Sequence, residues 1–381
     1  VQRSRKVADD MSKGVQFLMK KNKIEVIKGF GTLKKDKRIS VKGEDGKDTE
    51  YSAEHIIIAT GARSRELPSL KQDGKKIIGY REAMTLDKQP EKMIVVGSGA
   101  IGIEFAYFYN SMGTEVTVVE FLPNIVPVED EEVSKQLERS FKKAGVKIMT
   151  ASEVTKVDTS GDGVKATVKT SKGEEVLEAD IVLSAVGIKS NIENIGLEDV
   201  GIKTDKDKIL VNDYYQTNIP GYYAIGDVTP GQALAHVASA EGILCVEKIA
   251  DMHVQPLDYG NIPGCTYCLP EVASVGLTET QAREKYGDVT TLTYDLAGNG
   301  RSQILKTTGA VKLIQAPDGP VVGIHMVGSR VGELIAEAQL IYNWEAEADD
   351  VASLIHPHPT QSEALGEAHL ALAGKPLHVH G

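Results

Sequence analysis

Between residues 93 and 120 the period of the chain changes twice. MIVVG is an apolar run of strand length, apolar residues in the stretch that follows recur at helical spacing as far as Gly113, and TEVTVVE is again a strand, ending on Glu120. Residues 146 to 187 show a different rhythm, with short alternating strands joined by the turns TSGDG and TSKGEE and then an apolar strand ending in Gly187. Residues 24 to 61 repeat that rhythm, with a GEDGKD turn and an apolar strand ending in Gly61. Two such copies predict two α/β domains built alike. Only the later copy follows a strand–glycine loop–helix unit, so the sequence is expected to begin inside the earlier domain. Residues 1 to 23 supply one helix, with Val7, Met11, Val15 and Met19 at four-residue spacing and a basic end at Lys20, Lys21 and Lys23.

The last third reads differently. ASVGLT, VTTLTYDL, GAVKLIQ and PVVGIHMVG are expected as antiparallel strands, and VGELIAEAQLIYNW as an amphipathic helix that packs on them or faces another subunit. His325, inside GIHMVG, reads as a packed sheet residue and not as a ligand.

Composition narrows the function classes. The 381 residues, 41% apolar and with 37 glycines, call for two or three domains. A net charge of -11 with no basic stretch interleaved with aromatics excludes a nucleic-acid partner. Apolar runs are all shorter than the roughly 18 residues that cross a bilayer, so no membrane association is expected. Three cysteines, Cys245, Cys265 and Cys268, are too few for a disulfide framework and favour a reducing, cytoplasmic compartment. Val1 is not methionine, so a targeting signal upstream stays open.

The chemistry concentrates in three places. Gly97, Gly99 and Gly102 stand in GxGxxG spacing between strand and helix. The first allows the tight turn, the second lets a pyrophosphate approach the backbone, the third lets helix and strand pack closely, and the helix N-terminus offers N–H donors to phosphate. Glu120, at the end of the next strand, suits the ribose hydroxyls of NAD and repels the 2′-phosphate of NADP. In TNIPGYYAIGDV a short aromatic strand from Tyr222 to Ile225 ends in Gly226 and Asp227, where ligands of open α/β sheets bind. Asp227 either hydrogen-bonds a sugar-like hydroxyl or caps the helix LAHVASAEGILCVEKIA, whose first turn would face a ring that becomes anionic on reduction. The third place is HPHPTQSE at 356–363. Thr360 and Glu363 form a T-x-x-E capping box, which explains the glutamate but not His358.

GSGAIGIEF, IIIATGA, TNIPGYYAIGDV, LAHVASAEG, PEVASVG and HPHPTQSE, in this order and spacing, resemble the flavoprotein disulfide reductases over essentially the whole chain. The resemblance implies two Rossmann-like dinucleotide-binding domains and an α+β C-terminal dimerisation domain. These are an FAD domain (1–88 and 216–258, incomplete at its N-terminus) interrupted by an NAD domain (89–215), then an interface domain (259–381). It further implies FAD held by Gly61, Asp227, Ala235 and His236, and NAD held by Gly97, Gly99, Gly102 and Glu120 with Glu104 and Gly187 beside it. The reaction implied is oxidation by NAD of a dihydrolipoyl group on the lipoyl domain of a 2-oxo acid dehydrogenase complex. His358 of one subunit of a homodimer would take a thiol proton at the other subunit's disulfide, with Glu363 holding the ring. The family's His–Pro bond here is cis, so a cis His358–Pro359 peptide is expected.

The departure from the family pattern is equally specific. The pair of cysteines four residues apart, and the first glycine-rich FAD loop, are not in this sequence. Cys265 and Cys268 do not replace the pair, because the segment reads as a strand that points residues i and i+3 to opposite faces. Cys245 reads as a small core residue. A catalytically silent NAD-binding and dimerisation fragment, or another reductase of the family such as a mercuric or glutathione reductase, are the competing readings. His356 is expected only to support its turn, and His378 and His380 to be solvated or disordered.

Overall fold

The computed structural model describes residues 1–378. The chain packs as two units, Val1–Arg63 with Ile188–Leu257, and Ser64–Gly187 with Asp258–Gly381.

In the second of these, the apolar run Lys92–Val96 is the middle strand of a five-stranded parallel sheet in the order Ile77–Ile78, Ile181–Ser184, Lys92–Val96, Glu115–Val119, Lys147–Met149. A parallel strand covered on both faces has no polar side to show, which is why Met93, Ile94, Val95 and Val96 are all buried. The helix Ala100–Ser111 follows, burying Gly102, Ile103, Ala106 and Tyr109 along one stripe, and Gly113 ends the turn after it at φ +99°. A second five-stranded sheet is wholly antiparallel, in the order Gly264–Thr266, Glu271–Gly276, Val321–Gly328, Ala310–Gln315, Thr290–Asp295. These strands and the helix Val331–Asn343 stand where the pattern predicts them.

The strand period of two decides what that second sheet touches. Val272, Ala310 and Val327 join the core of the parallel-sheet fold with Val95, Ile103 and Phe141. Their chain neighbours Ala273, Val311 and Met326 point the other way and pack with Val331, Ile335, Ala364 and Leu365 from the two C-terminal helices. All eight residues of Val321–Gly328 are therefore buried. His325 among them is a packed residue, its Nε2 2.8 Å from Leu277 O.

The first unit carries the earlier copy of the repeat. Phe30–Lys34, Arg38–Lys42 and Asp48–Ser52 make a three-stranded antiparallel sheet that leads into Ile56–Ile58, paired parallel with Tyr222–Ala224. The later copy has the same plan: Glu153–Asp158, Val164–Thr170 and Gly173–Ala179 lead into the parallel strand Ile181–Ser184. The buried Tyr222 phenol donates to Lys34 O and accepts the Lys37 N–H, both at 2.9 Å, which ties the antiparallel sheet to its parallel strand. The helix Gln2–Lys21 forms as expected but buries no residue, so its stripe of Val7, Met11 and Val15 is exposed.

The chain passes between the two units at 63/64, 187/188 and 257/258. Ile77–Ile78 adds an edge strand beside Ile181–Ser184, which draws residues 64–88 into the second unit. Ile195, Leu197, Ile202 and Ile209 pack with Leu33 and Ile56, which draws residues 188–215 into the first.

Candidate functional site

The glycine loop has the geometry its spacing predicts. Gly97 sits at φ +96°, and a Cβ there would stand 2.4 Å from Ala185 O. A Cβ on Gly102 would lie 2.0 Å from Gly97 O, so helix and loop touch backbone to backbone. Gly99 is different: nothing lies within 4 Å of where its Cβ would be. The open side of the loop thus lies at the N-terminus of a helix whose first turn carries no side-chain cap and has N–H donors to offer.

Glu120 is buried at the end of its strand and is already engaged. One carboxylate oxygen accepts the Ser98 N–H at 2.7 Å and the Ser98 hydroxyl at 2.6 Å, and the other accepts the Leu122 N–H at 2.8 Å. Its carboxylate therefore fixes the loop that begins at Gly97. Glu104, in the same helix, accepts the Tyr267 N–H at 2.9 Å, and burial pushes its carboxyl up despite that bond. Gly187 takes φ +104° between the strands Ile181–Ser184 and Ile188–Ser190.

In the first unit, Gly61 turns at φ +67° and accepts the Asn191 N–H at 2.8 Å. Asp227 lies in the turn Gly226–Val228, and its carbonyl accepts from Ser190 Oγ at 2.6 Å and Lys208 Nζ at 2.7 Å. The helix Ala235–Ile249 begins after Leu234 with no side-chain cap, so Asp227 does not cap it. No partner holds the Asp227 carboxylate among the described residues, which leaves it for a ligand hydroxyl. Ala235 and His236 are exposed at the start of that helix. The residues present thus fit the ribitol and ring ends of a flavin nucleotide, and the glycine loop fits NAD.

Two features of this unit escaped the sequence. Glu241, buried in the helix, accepts the Gly226 N–H at 2.6 Å and so holds the turn that carries Asp227. Arg63 grips Glu193 with two N–H groups, at 2.8 and 3.0 Å, on the wall of a cavity of about 690 Å³ that Thr60 and Asn191 also line. Arg63 and Lys189 pull the Glu193 carboxyl down to about 2.

At the C-terminus the His358–Pro359 peptide is cis, as expected. Glu363 divides its two oxygens: Oε1 lies 2.9 Å from His358 Nδ1, and Oε2 accepts the Thr360 N–H at 2.7 Å. The expected capping box is only half formed, because the Thr360 hydroxyl donates to Pro357 O and the helix Glu363–Leu372 starts after Ser362. With the carboxylate on Nδ1, the hydrogen of the neutral ring sits there and Nε2 keeps a lone pair facing outward. His378 does not stand free: its N–H and Nδ1 meet Glu367 at 3.1 and 2.9 Å, while His380 lies outside the described residues.

The cysteines do no visible chemistry. All three are free thiols. Burial pushes Cys245 up to about 11, and it pushes Cys265 and Cys268 up as well. Only Gly264–Thr266 of the CxxC segment is strand, and Cys268 lies in the turn before a second cis peptide, Leu269–Pro270. Among the described residues no group could hold a metal ion, and no helix is long and apolar enough to cross a membrane.

This arrangement of two nucleotide folds, a repeated antiparallel insert and a C-terminal imidazole–carboxylate pair belongs to the pyridine nucleotide-disulphide oxidoreductases, and the chain is a member of that family: residues 2–242 match it, and residues 262–369 match its dimerisation domain. It is similar to a dihydrolipoyl dehydrogenase of Rhizobium etli, at 46% identity over all of this chain and 82% of that one. A mitochondrial dihydrolipoyl dehydrogenase of Pisum sativum is 41% identical over 98% of this chain and 75% of its own. Among solved structures, LpdA from Mycobacterium tuberculosis superposes with a TM-score of 0.90 at 29% identity, over 97% of this chain and 82% of that one.

Proposed function

We propose that the protein works as a dihydrolipoyl dehydrogenase, oxidising dihydrolipoamide with NAD through FAD and a redox disulfide. The observation that carries this reading is the bond between Glu363 Oε1 and Nδ1 of His358, whose side chain is 78% exposed. A thiol approaching Nε2 meets a base whose tautomer is fixed and whose cation the carboxylate stabilises. The thiolate so formed is the nucleophile toward a disulfide. That disulfide is not made from Cys245, Cys265 or Cys268, whose burial opposes the thiolate form.

In this reading Gly97, Gly99, Gly102, Glu104, Glu120 and Gly187 hold NAD, and Gly61, Asp227, Ala235 and His236 hold FAD. Bound FAD supplies the two-electron carrier, and NAD the hydride acceptor. The chain's own residues place the phosphates on a helix N-terminus, keep a 2′-phosphate away with Glu120, and hold the proton acceptor at Nε2 of His358. In the homodimer His358 serves the opposite subunit's site. The dithiol arrives on a lipoyl domain of a 2-oxo acid dehydrogenase complex, and three free thiols support a reducing, cytoplasmic setting.

The test is NADH-driven reduction of lipoamide by the FAD-reconstituted protein joined to a segment that carries the family's cysteine pair, with NADPH as the comparison. Turnover with NADH well above NADPH supports the reading. Tight NADH binding with no lipoamide reduction leaves a nucleotide-binding, dimer-forming chain in its place.

A further inference from the structure

Behind the exposed pair lies a hidden one. His356 turns inward, its side chain 12% exposed, and its Nε2 lies 2.6 Å from Glu337 Oε1 on the helix Val331–Asn343. The opposite edge of the ring lies against the last helix: a Cβ on Gly366 would stand 2.6 Å from His356 Nδ1 and 2.9 Å from Cε1. The imidazole is thus wedged between two helices, gripped by a carboxylate on one and seated on bare backbone of the other.

The seat has a consequence for His358. Gly366 lies three residues after Glu363 on the same helix, so the two positions share a face. The element that receives the His356 ring is the one that supplies the carboxylate to His358. Around the two histidines the backbone has little freedom, because Pro357 between them and Pro359 after them both have φ fixed by their rings. Asn299, itself buried, closes the turn by donating from Nδ2 to Thr360 O at 2.9 Å.

We propose that Glu337 is a positioning residue for His358, acting through His356: it seats the inner ring against Gly366 and so keeps the outer ring in line with Glu363. The proposal rests on the reading of His358 as a thiol base, but the alignment it asserts can be read without any substrate.

The experiment compares Glu337→Ala with Glu337→Gln in the full chain, using 15N-labelled histidine. A glutamine carbonyl still accepts from the His356 Nε2–H, and an alanine does not. In the parent the His358 signals report the tautomer with the hydrogen on Nδ1. Glu337→Ala is expected to move them toward the mixed tautomers of a solvated imidazole and, in protein joined to a segment that carries the family's cysteine pair, to lower kcat with lipoamide about tenfold or more, with KM for NADH unchanged. Glu337→Gln is expected to restore both. His358 ring shifts unchanged in Glu337→Ala overturn the proposal. Gly366→Ala attacks the same seat from the other helix, and in a folded variant the same shift is expected; its absence overturns the proposal equally. Shifts that move as expected in a protein that carries the cysteine pair and still shows no lipoamide turnover uphold the positioning and refute the activity reading.

Discussion

Glu363 holds His358 Nδ1 at 2.9 Å with one oxygen and the Thr360 N–H at 2.7 Å with the other. One carboxylate both aims the ring and braces the turn that carries it. In protein joined to a segment that carries the family's cysteine pair, replacing His358 by glutamine should lower lipoamide turnover by roughly 10²- to 10⁴-fold, the range of a positioned acid–base group, while NADH binding is unchanged. Steady-state kinetics and an NADH fluorescence titration check the two halves. Equal loss of both would place His358 in the fold and not in the chemistry.

The glycines of the nucleotide loop separate stability from binding. At Gly99 a methyl group meets no protein atom, so Gly99→Ala should keep its melting temperature and weaken NADH binding about tenfold or more by standing where the phosphate comes in. At Gly102 the methyl group meets backbone at 2.0 Å, so Gly102→Ala should lose about 1–3 kcal/mol of stability or more. Calorimetry beside a binding titration distinguishes the pair.

Lys312 is buried with Asp130 at 2.8 Å and Glu279 at 2.7 Å. Asp130 also accepts the N–H groups of Glu132 and Glu279, at 3.1 and 3.0 Å. Burial alone would raise the Asp130 carboxyl, but Lys312 and the Glu279 N–H outweigh it and hold it down. Lys312→Ala leaves that charge buried and unpaired, and should cost about 3–5 kcal/mol in denaturant unfolding. A loss under about 1 kcal/mol, the scale of a surface pair, would refute this account.

His369 is fully buried, its Nδ1 on Leu365 O at 2.7 Å and its Nε2 without a partner. Burial first, with the nearby His356 adding to it, pulls it from 6.5 down to about 4. Between those values the unfolded chain binds the proton and the folded one does not, so stability is present above 6.5 and falls as pH drops toward 4. The full loss is about 3 kcal/mol. His369→Leu should flatten this part of the pH–stability curve, measured as unfolding free energy from pH 7 to pH 4; an unchanged slope would show that the buried ring is not its source.

What was legible in the sequence follows periodicity and local spacing. The glycine loop, the repeated antiparallel insert and the C-terminal strands all lie within stretches of a few dozen residues, where pattern and geometry are linked directly, whereas the pairing of His358 with Glu363 came from the family resemblance. What was not legible depends on residues brought together from afar. Asp130 and Lys312 are 182 positions apart, and Glu337 reaches His356 from a helix whose apolar stripe gave no hint of a polar partner. The half-formed capping box marks the same limit: Thr360-x-x-Glu363 has the right letters, but the Thr360 hydroxyl turns to Pro357 O.

The Asp130–Lys312 contact also bears on modularity. Asp130 begins the helix Glu131–Lys143 of the nucleotide fold, and Lys312 belongs to the antiparallel sheet whose Val272, Ala310 and Val327 complete that fold's core. A segment cut out as residues 64–187 would expose one side of its interior to water and strand a carboxylate there. The parallel-sheet fold is therefore not a portable cassette: transplanted into another scaffold, it would need a new floor and a new counter-charge before it could stand.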